Sequence, residues 1–300
     1  MDKGLVNVLI STYNGVNYVG EQIDSILNQT YKSIKIYVRD DGSTDGTKEL
    51  LKTYEDKGLI TYLEGENIRY GRSFMKLVEY AQEGDYWAFC DQDDVWLEDK
   101  VLWAVEWFEQ NNNQEPLLFH SAYKLMNADL SQVIGTHEPP NYNLDFRRAL
   151  TDCLYQGFSL VFNRSLRDLM LKADIEVLDS HDWWADILVA KYGTAYFDPR
   201  IASLHRRLGD SMSGASLSNK IKWFKKTLTT GKSDIGSCAR EYVRVFGQDM
   251  GDKDSRIARW FSDDHYHFLH AVTKAFYPKR WRPSISSEVS IRLLMLLGKI

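Results

Sequence analysis

The chain is poor in the residues that staple a small fold or cross a membrane. Cysteine occurs three times, at Cys90, Cys153 and Cys238, with neither a metal-type spacing nor a disulfide framework. A reducing compartment fits that usage. No uninterrupted apolar run reaches the ~20 residues a spanning helix needs, so none is expected. The apolar stretch in MDKGLVNVLISTYNG is too short for a signal peptide and runs straight into a strand, which places the expected location in the cytoplasm. Neither GxGxxG nor GxxxxGK[ST] is present, so dinucleotide redox chemistry and P-loop hydrolysis lose their main support; HExxH is missing too. Basic charge is not in excess. The 37 Lys and Arg against 42 Asp and Glu leave a net charge of −5, which argues against a nucleic-acid partner. There is no internal repeat and no low-complexity tract.

What is present suits a large globular core, with 44% apolar and 26% charged residues. Aromatics reach 13%; packing is their commoner use and sugar binding the next. Short β-branched runs alternate with amphipathic segments. Val6–Ile10, Ile34–Val38, Leu59–Leu63 and Tyr86–Cys90 read as strands. Tyr18–Gln29, Thr47–Tyr54 and Gly71–Gln82 read as helices. This β-α order predicts a mainly parallel sheet flanked by helices. In such sheets ligands bind beyond the carboxyl ends of the strands. The loops at 11–15, 39–43 and 91–94 all fall there and should meet. Further on, Leu117–Leu125 and Tyr196–Leu204 read as strands, 131–145 as a loop, Cys153–Asn163 as loop and strand, and Trp183–Lys191 as a helix. The stretch after about Ser216 reads as helices.

AFCDQDDVW, residues 88–96, puts three carboxylates within four positions. Repulsion and desolvation both oppose that clustering. Asp91 and Asp93 share a face of an extended segment, suited to a hard divalent cation and phosphate oxygens. The competing reading is a solvated turn. VRDDGSTDGT, residues 38–47, is not an EF-hand loop, because the twelfth position is Lys52 rather than Glu. An aspartyl-phosphate phosphatase wants Asp-x-Asp after the first strand, whereas this adjacent pair follows the second. A nucleotide-base site and a capped turn remain open. His265 and His267, beside Asp263 and Asp264, read as a solvated surface cluster.

Together, ISTYNG (10–15), IYVRDDGSTDGT (36–47), NIRYG (67–71) and FCDQDDVW (89–96) resemble the family 2 inverting glycosyltransferases of GT-A fold. YQGFSLVFNR (155–164) and HDWWADILVAKYG (181–193) resemble the branch of bacterial polysaccharide rhamnosyltransferases. The resemblance covers about 5–215 and implies a catalytic domain over 1–215, with a nucleotide-binding half to about 96 and an acceptor half over 97–215. Residues 216–300 would be a helical extension. It also implies roles. Thr12, Tyr13 and Asn14 line the base, Asp40 or Asp41 accepts from its N3–H, and Asp91 with Gln92 meets the nucleotide. Asp91 and Asp93, the DxD pair, hold Mn²⁺ or Mg²⁺. Asp182 is the general base, while Gln156, Gly157, His181 and Trp183 approach donor sugar or acceptor. One departure concerns His205-Arg206-Arg207-Leu208-Gly209, where related sequences often carry a His at the position of Leu208. His205, Arg206 and Arg207 are the candidates to replace it at the diphosphate, and strict metal dependence stays open.

The implied partners are a nucleotide-diphosphate sugar, with dTDP-rhamnose ahead of UDP-hexoses, and a saccharide, glycoprotein or lipid-linked acceptor of cell-surface glycan synthesis. A non-catalytic sugar-nucleotide or glycan-binding module is the rival. In the tail, Lys220–Lys232 with Trp223, Phe224 and Leu228, then Lys279-Arg280-Trp281-Arg282 and Ile291–Leu297, suggest peripheral contact with the inner membrane face. A helical appendage on the catalytic domain or on a partner subunit, including a homo-oligomer, is the alternative.

Overall fold

The β-branched run Val6–Thr12 forms β1 at the centre of a nine-stranded sheet. The computed structural model describes residues 4–137, 144–208, 225, 227–228, 234–249, 251–263 and 265–300. β2 (Ile34–Asp40) and β4 (Tyr86–Asp91) pair with β1 on either side, both parallel, and β3 (Thr61–Glu64) extends the sheet beyond β2. The register places Thr12 opposite Asp40 and Ser11 opposite Asp91. Three loops predicted to be chemical therefore leave the sheet side by side.

Both faces of this half are covered, which explains why its strands are continuously apolar rather than alternating. Val6, Val8 and Ile10 pack on one face with Val19, Ile23 and Ile26 of α1 (Val19–Leu27). Leu9, Trp87 and Phe89 pack on the other with Phe74 and Leu77 of α3 (Tyr70–Tyr80). α2 (Thr47–Glu55) and α4 (Lys100–Phe108) complete the crossovers.

The second half is mixed. β6 (Leu117–Met126) runs parallel to β9 (Thr194–Arg206) and antiparallel to β8 (Leu160–Asn163), which returns antiparallel to β4. β5 (Val95–Trp96), directly after the aspartates, pairs with β9. The stretch 131–145, expected to be a loop, contains β7 (Val133–Thr136), an edge strand on β6. Its pattern was weak because three of its four residues are exposed. α5 (Phe146–Thr151) was also not foreseen; Asp145 caps it by accepting from Arg148 N–H at 2.9 Å. α6 (Arg164–Met170) and α7 (His181–Tyr192) follow.

The expected boundary at 215 lies outside the described residues. Beyond it come α8 (Asp234–Phe246), α9 (Lys253–Phe261), α10 (Phe268–Ala275) and α11 (Ile285–Leu296). They share one core with α5 and α7: Tyr242 meets Phe146 at 4.7 Å between ring centres, and Trp281 is fully buried. The Thr151 hydroxyl donates to the Trp281 carbonyl at 3.1 Å. His265 and His267 are exposed, as expected. No described helix is long and apolar enough to cross a membrane.

Candidate active site

The loop after β1 and the loop after β4 are joined by one side chain. Gln92 Oε1 accepts from the Thr12 hydroxyl at 2.5 Å and from Tyr13 N–H at 2.9 Å. Gly15 leaves room for this clamp, since a Cβ there would lie 2.2 Å from Gln92 Oε1. Asn14, at φ 49°, ties the same loop to the one after β2: its N–H donates to Ser43 Oγ at 2.8 Å, and its Oδ1 accepts from Thr44 N–H at 2.9 Å. Tyr13 is left half-exposed above them.

The two aspartates after β2 have separate fates. Asp41 is fully engaged: it pairs with Arg39 and accepts from Ile68 and Arg69 N–H, both at 3.0 Å. Asp40 Oδ1 accepts from Gly42 N–H at 2.9 Å and Ser43 N–H at 2.7 Å, while its buried Oδ2 has no hydrogen-bond partner. An orphaned buried acceptor is costly, which marks Asp40 as the one of the pair with an oxygen to offer.

At the β4 end, Asp91, Asp93 and Asp94 are close enough to act on one another's charge. Burial, then the charges of Asp94 and Asp93, push the Asp91 carboxyl up to about 8. Burial and Asp94 likewise raise Asp93. Asp94 is fully buried and its Oδ1 meets His205 Nδ1 at 2.8 Å. Burial opposes a charge on His205, but the hydrogen bond to Asp94 and the charges of Asp94, Asp91 and Asp93 together outweigh it and raise the ring's pKa. Asp94 Oδ2 and His205 Nε2 are buried without partners. Carboxylate oxygens are the ligands a Mg²⁺ or Mn²⁺ ion takes, and the orphaned Asp94 Oδ2 is one of them, so the chemistry of the donor set fits such an ion.

Arg206 is held elsewhere. It donates to the Asp93 carbonyl at 2.9 Å, the Ala128 carbonyl at 2.7 Å and Glu21 at 2.6 Å, which fastens β9 under the aspartate loop. It therefore buttresses the loop rather than reaching past it. Arg207 N–H donates to the Met126 carbonyl at 2.9 Å. Sequence reasoning missed Lys100, whose Nζ is fully buried and donates to the Phe158 carbonyl at 2.7 Å. Burial drives its pKa down to about 8 against the pull of Cys90, Asp94 and Asp91.

On the far side, α7 presents Asp182 in its first turn. Asp182 Oδ2 accepts from Gly157 N–H at 3.1 Å; Oδ1 accepts from the Ser180 hydroxyl at 2.7 Å and from Trp183 N–H at 2.8 Å. Its charge acts on Asp91, and both act on the Tyr70 hydroxyl, whose pKa is raised first by burial. The carboxylate is thus near enough to Asp91 for its charge to raise that group. Gln156 accepts from the Tyr123 hydroxyl at 3.1 Å. His181 and Trp183, expected at the acceptor, stand behind the site instead. The His181 ring is buried on Phe74 at 4.1 Å, and burial lowers its pKa to about 4, keeping it neutral. Trp183 is buried and its indole N–H donates to the Ala149 carbonyl at 2.6 Å.

Asp186, one helical turn after Asp182, was also missed, although i and i+4 share a face. Its Oδ2 accepts from Leu154 N–H at 2.8 Å and Tyr155 N–H at 3.0 Å. Asp186→Ala should cost about 3 kcal/mol by stranding two buried donors, measured by urea unfolding. Burial raises the Asp186 carboxyl well above its ordinary value. Its contribution is therefore complete below the unfolded carboxylate pKa of about 4 and is lost as pH rises through the folded value. Asp186→Asn should flatten the fall of stability on the alkaline side of that window.

The model of the Glycosyl transferase family 2 domain matches residues 7–169, more than half of the chain. The chain belongs to this family. TuaG of Bacillus subtilis, named for teichuronic acid biosynthesis, is 29% identical over 231 residues, covering 75% of this chain and 86% of TuaG. The dTDP-rhamnosyl transferase RfbG of Shigella flexneri is 24% identical over 244 residues, covering 74% and 80%. Among solved structures, residues 1–349 of TarS from S. aureus, in complex with UDP, superpose with a TM-score of 0.55 at 16% identity, covering 92% of this chain and 75% of that one. The mixed sheet with its flanking helices is thus the fold of GT-A transferases.

Proposed function

We propose that this family 2 glycosyltransferase moves a sugar from a pyrimidine nucleoside diphosphate to a saccharide or lipid-linked acceptor of cell-surface glycan synthesis, with inversion. dTDP-rhamnose is the favoured donor and a UDP-hexose the next. The observation that carries this reading is Asp182, a carboxylate fixed by three donors and close enough to Asp91 for its charge to act there. The kinship with RfbG supports the choice of donor.

Asp40 Oδ2 accepts the base N3–H, a contact that suits uracil and thymine alike, and Tyr13 covers the base. Asp91 and Asp93 would hold a divalent cation, which when bound would supply positive charge for the leaving diphosphate. His205, paired with Asp94, would bring positive charge beside the same cluster when protonated. Asp182 takes the acceptor hydroxyl's proton as that oxygen attacks the anomeric carbon from the face opposite the leaving group. Hydrogen bonds to both carboxylate oxygens aim it.

Thermal unfolding with dTDP, UDP and GDP and their sugars, each with Mn²⁺, Mg²⁺ or EDTA, tests the donor side. Binding to the native state raises the transition. The expected result is a shift with dTDP or UDP of about 5 °C near saturation, lost in EDTA. A shift with GDP alone would overturn the pyrimidine reading, and no shift at all would favour a glycan-binding module.

A further inference from the structure

α11 carries apolar residues on two sides, and only one of them is covered. Ile291, Leu294 and Met295 are buried, while Ile285, Val289 and Leu293 are 67%, 62% and 46% exposed at four-residue intervals, which places the three on one stripe of the helix. On α10, which packs against α11, and at its end, Phe268, Leu269 and Phe276 are 65%, 67% and 73% exposed. Exposed apolar side chains gathered on this scale mark a contact site.

Charge indicates what fits it. The whole chain carries a net −5, but residues 265–300 hold six cations against the single carboxylate of Glu288. Of these, Lys274 is buried, Arg282 pairs with Asp152 and Arg292 with Glu288, while Lys279 and Arg280 stand exposed in the turn between the two helices. Exposed apolar side chains with exposed cations between them complement an anionic bilayer surface. α11 has 12 residues. That gives it a length of about 18 Å against a hydrocarbon core of about 30 Å, so it lies on a membrane rather than across it.

We propose that α10 and α11 form a docking face for an anionic membrane, with Phe268, Leu269, Phe276, Ile285, Val289 and Leu293 entering the headgroup region. The face differs from the sequence-based expectation. Trp281 is buried and takes no part, half of Ile291–Leu297 faces inward, and Lys220–Lys232 lies almost wholly outside the described residues. The proposal is independent of the transferase reading, though it suits a lipid-linked acceptor.

Co-sedimentation of the full chain with vesicles tests it, using phosphatidylcholine alone or with about one third phosphatidylglycerol. The chain should pellet with the anionic vesicles and be released as salt rises from about 0.1 to about 1 M. The Ile285→Ser, Val289→Ser, Leu293→Ser triple variant and the Lys279→Glu, Arg280→Glu double variant should each bind at least about tenfold less. Both alter exposed positions, so each should keep the wild-type melting curve. Failure of the wild type to pellet, or undiminished binding by the triple variant, would overturn the proposal. So would a dimer, seen by light scattering, that the triple variant dissociates without any vesicle binding, because the face would then join two copies. Nucleotide-induced thermal shifts, measured on the same proteins, report separately on the transferase reading.

Discussion

Asp182→Asn should bind nucleotide sugar as the parent does and turn it over about 10²–10⁴-fold more slowly. Asparagine keeps the size of the side chain and an oxygen to accept from Trp183 N–H and the Ser180 hydroxyl, but it cannot take a proton. The loss should therefore fall on kcat, with KM for the donor nearly unchanged. Asp182→Glu should recover little, because the added methylene displaces the carboxylate from Gly157 N–H, now 3.1 Å away. Single-turnover assays beside donor titrations separate the two quantities. Full turnover by Asp182→Asn would remove the base from α7. Loss of donor binding would mean that Asp182 serves the nucleotide side instead.

Asp91→Asn is expected to move stability in opposite directions with and without ligand. Burial and the charges of Asp94 and Asp93 raise the Asp91 carboxyl to about 8. A raised carboxyl stabilises the fold fully below its unfolded pKa of about 4, and that contribution disappears as pH rises through about 8. The unliganded variant should accordingly melt above the parent at pH 8 and near it at pH 4. With Mn²⁺ and saturating donor the order should reverse. The parent gains about 2.7 kcal/mol at a hundredfold excess over Kd, whereas the variant gains little. Transfer should fall by at least about 10²-fold. An unliganded variant less stable at pH 8 would show that Asp91 is held by a partner rather than crowded by like charges. Unchanged donor stabilisation would take the cation away from Asp91.

The parallel half of the sheet was legible because its strands are buried on both faces. Val6–Ile10 and Tyr86–Cys90 could be read as strands from composition, and topology then required their loops to converge. Asp40, Asp91 and Asp182 were legible as members of motifs. What escaped were pairings between distant positions. Asp94 and His205 are 111 residues apart, Lys100 and the Phe158 carbonyl 58. A lysine four residues beyond Trp96 looks like an ordinary surface residue until its helix is packed. β7 escaped because an exposed edge strand lacks the apolar alternation that identifies one. His181 misled for the opposite reason: beside Asp182 it looked chemical, whereas its ring is buried, stacked on Phe74 and edge-on to Phe89.

The hold of α7 on segment 154–157 bears on how such an enzyme diversifies. Asp182 and Asp186 grip that segment through the N–H groups of Leu154, Tyr155 and Gly157, which almost any sequence would supply. Gly157 is the exception, since a Cβ there would lie 2.7 Å from His181 Nε2. Leu154 and Tyr155 are themselves core residues, so Gln156 is the side chain of this segment that can change under selection for new acceptors while Asp182 stays in place. A lineage built this way changes what it glycosylates without having to reinvent how.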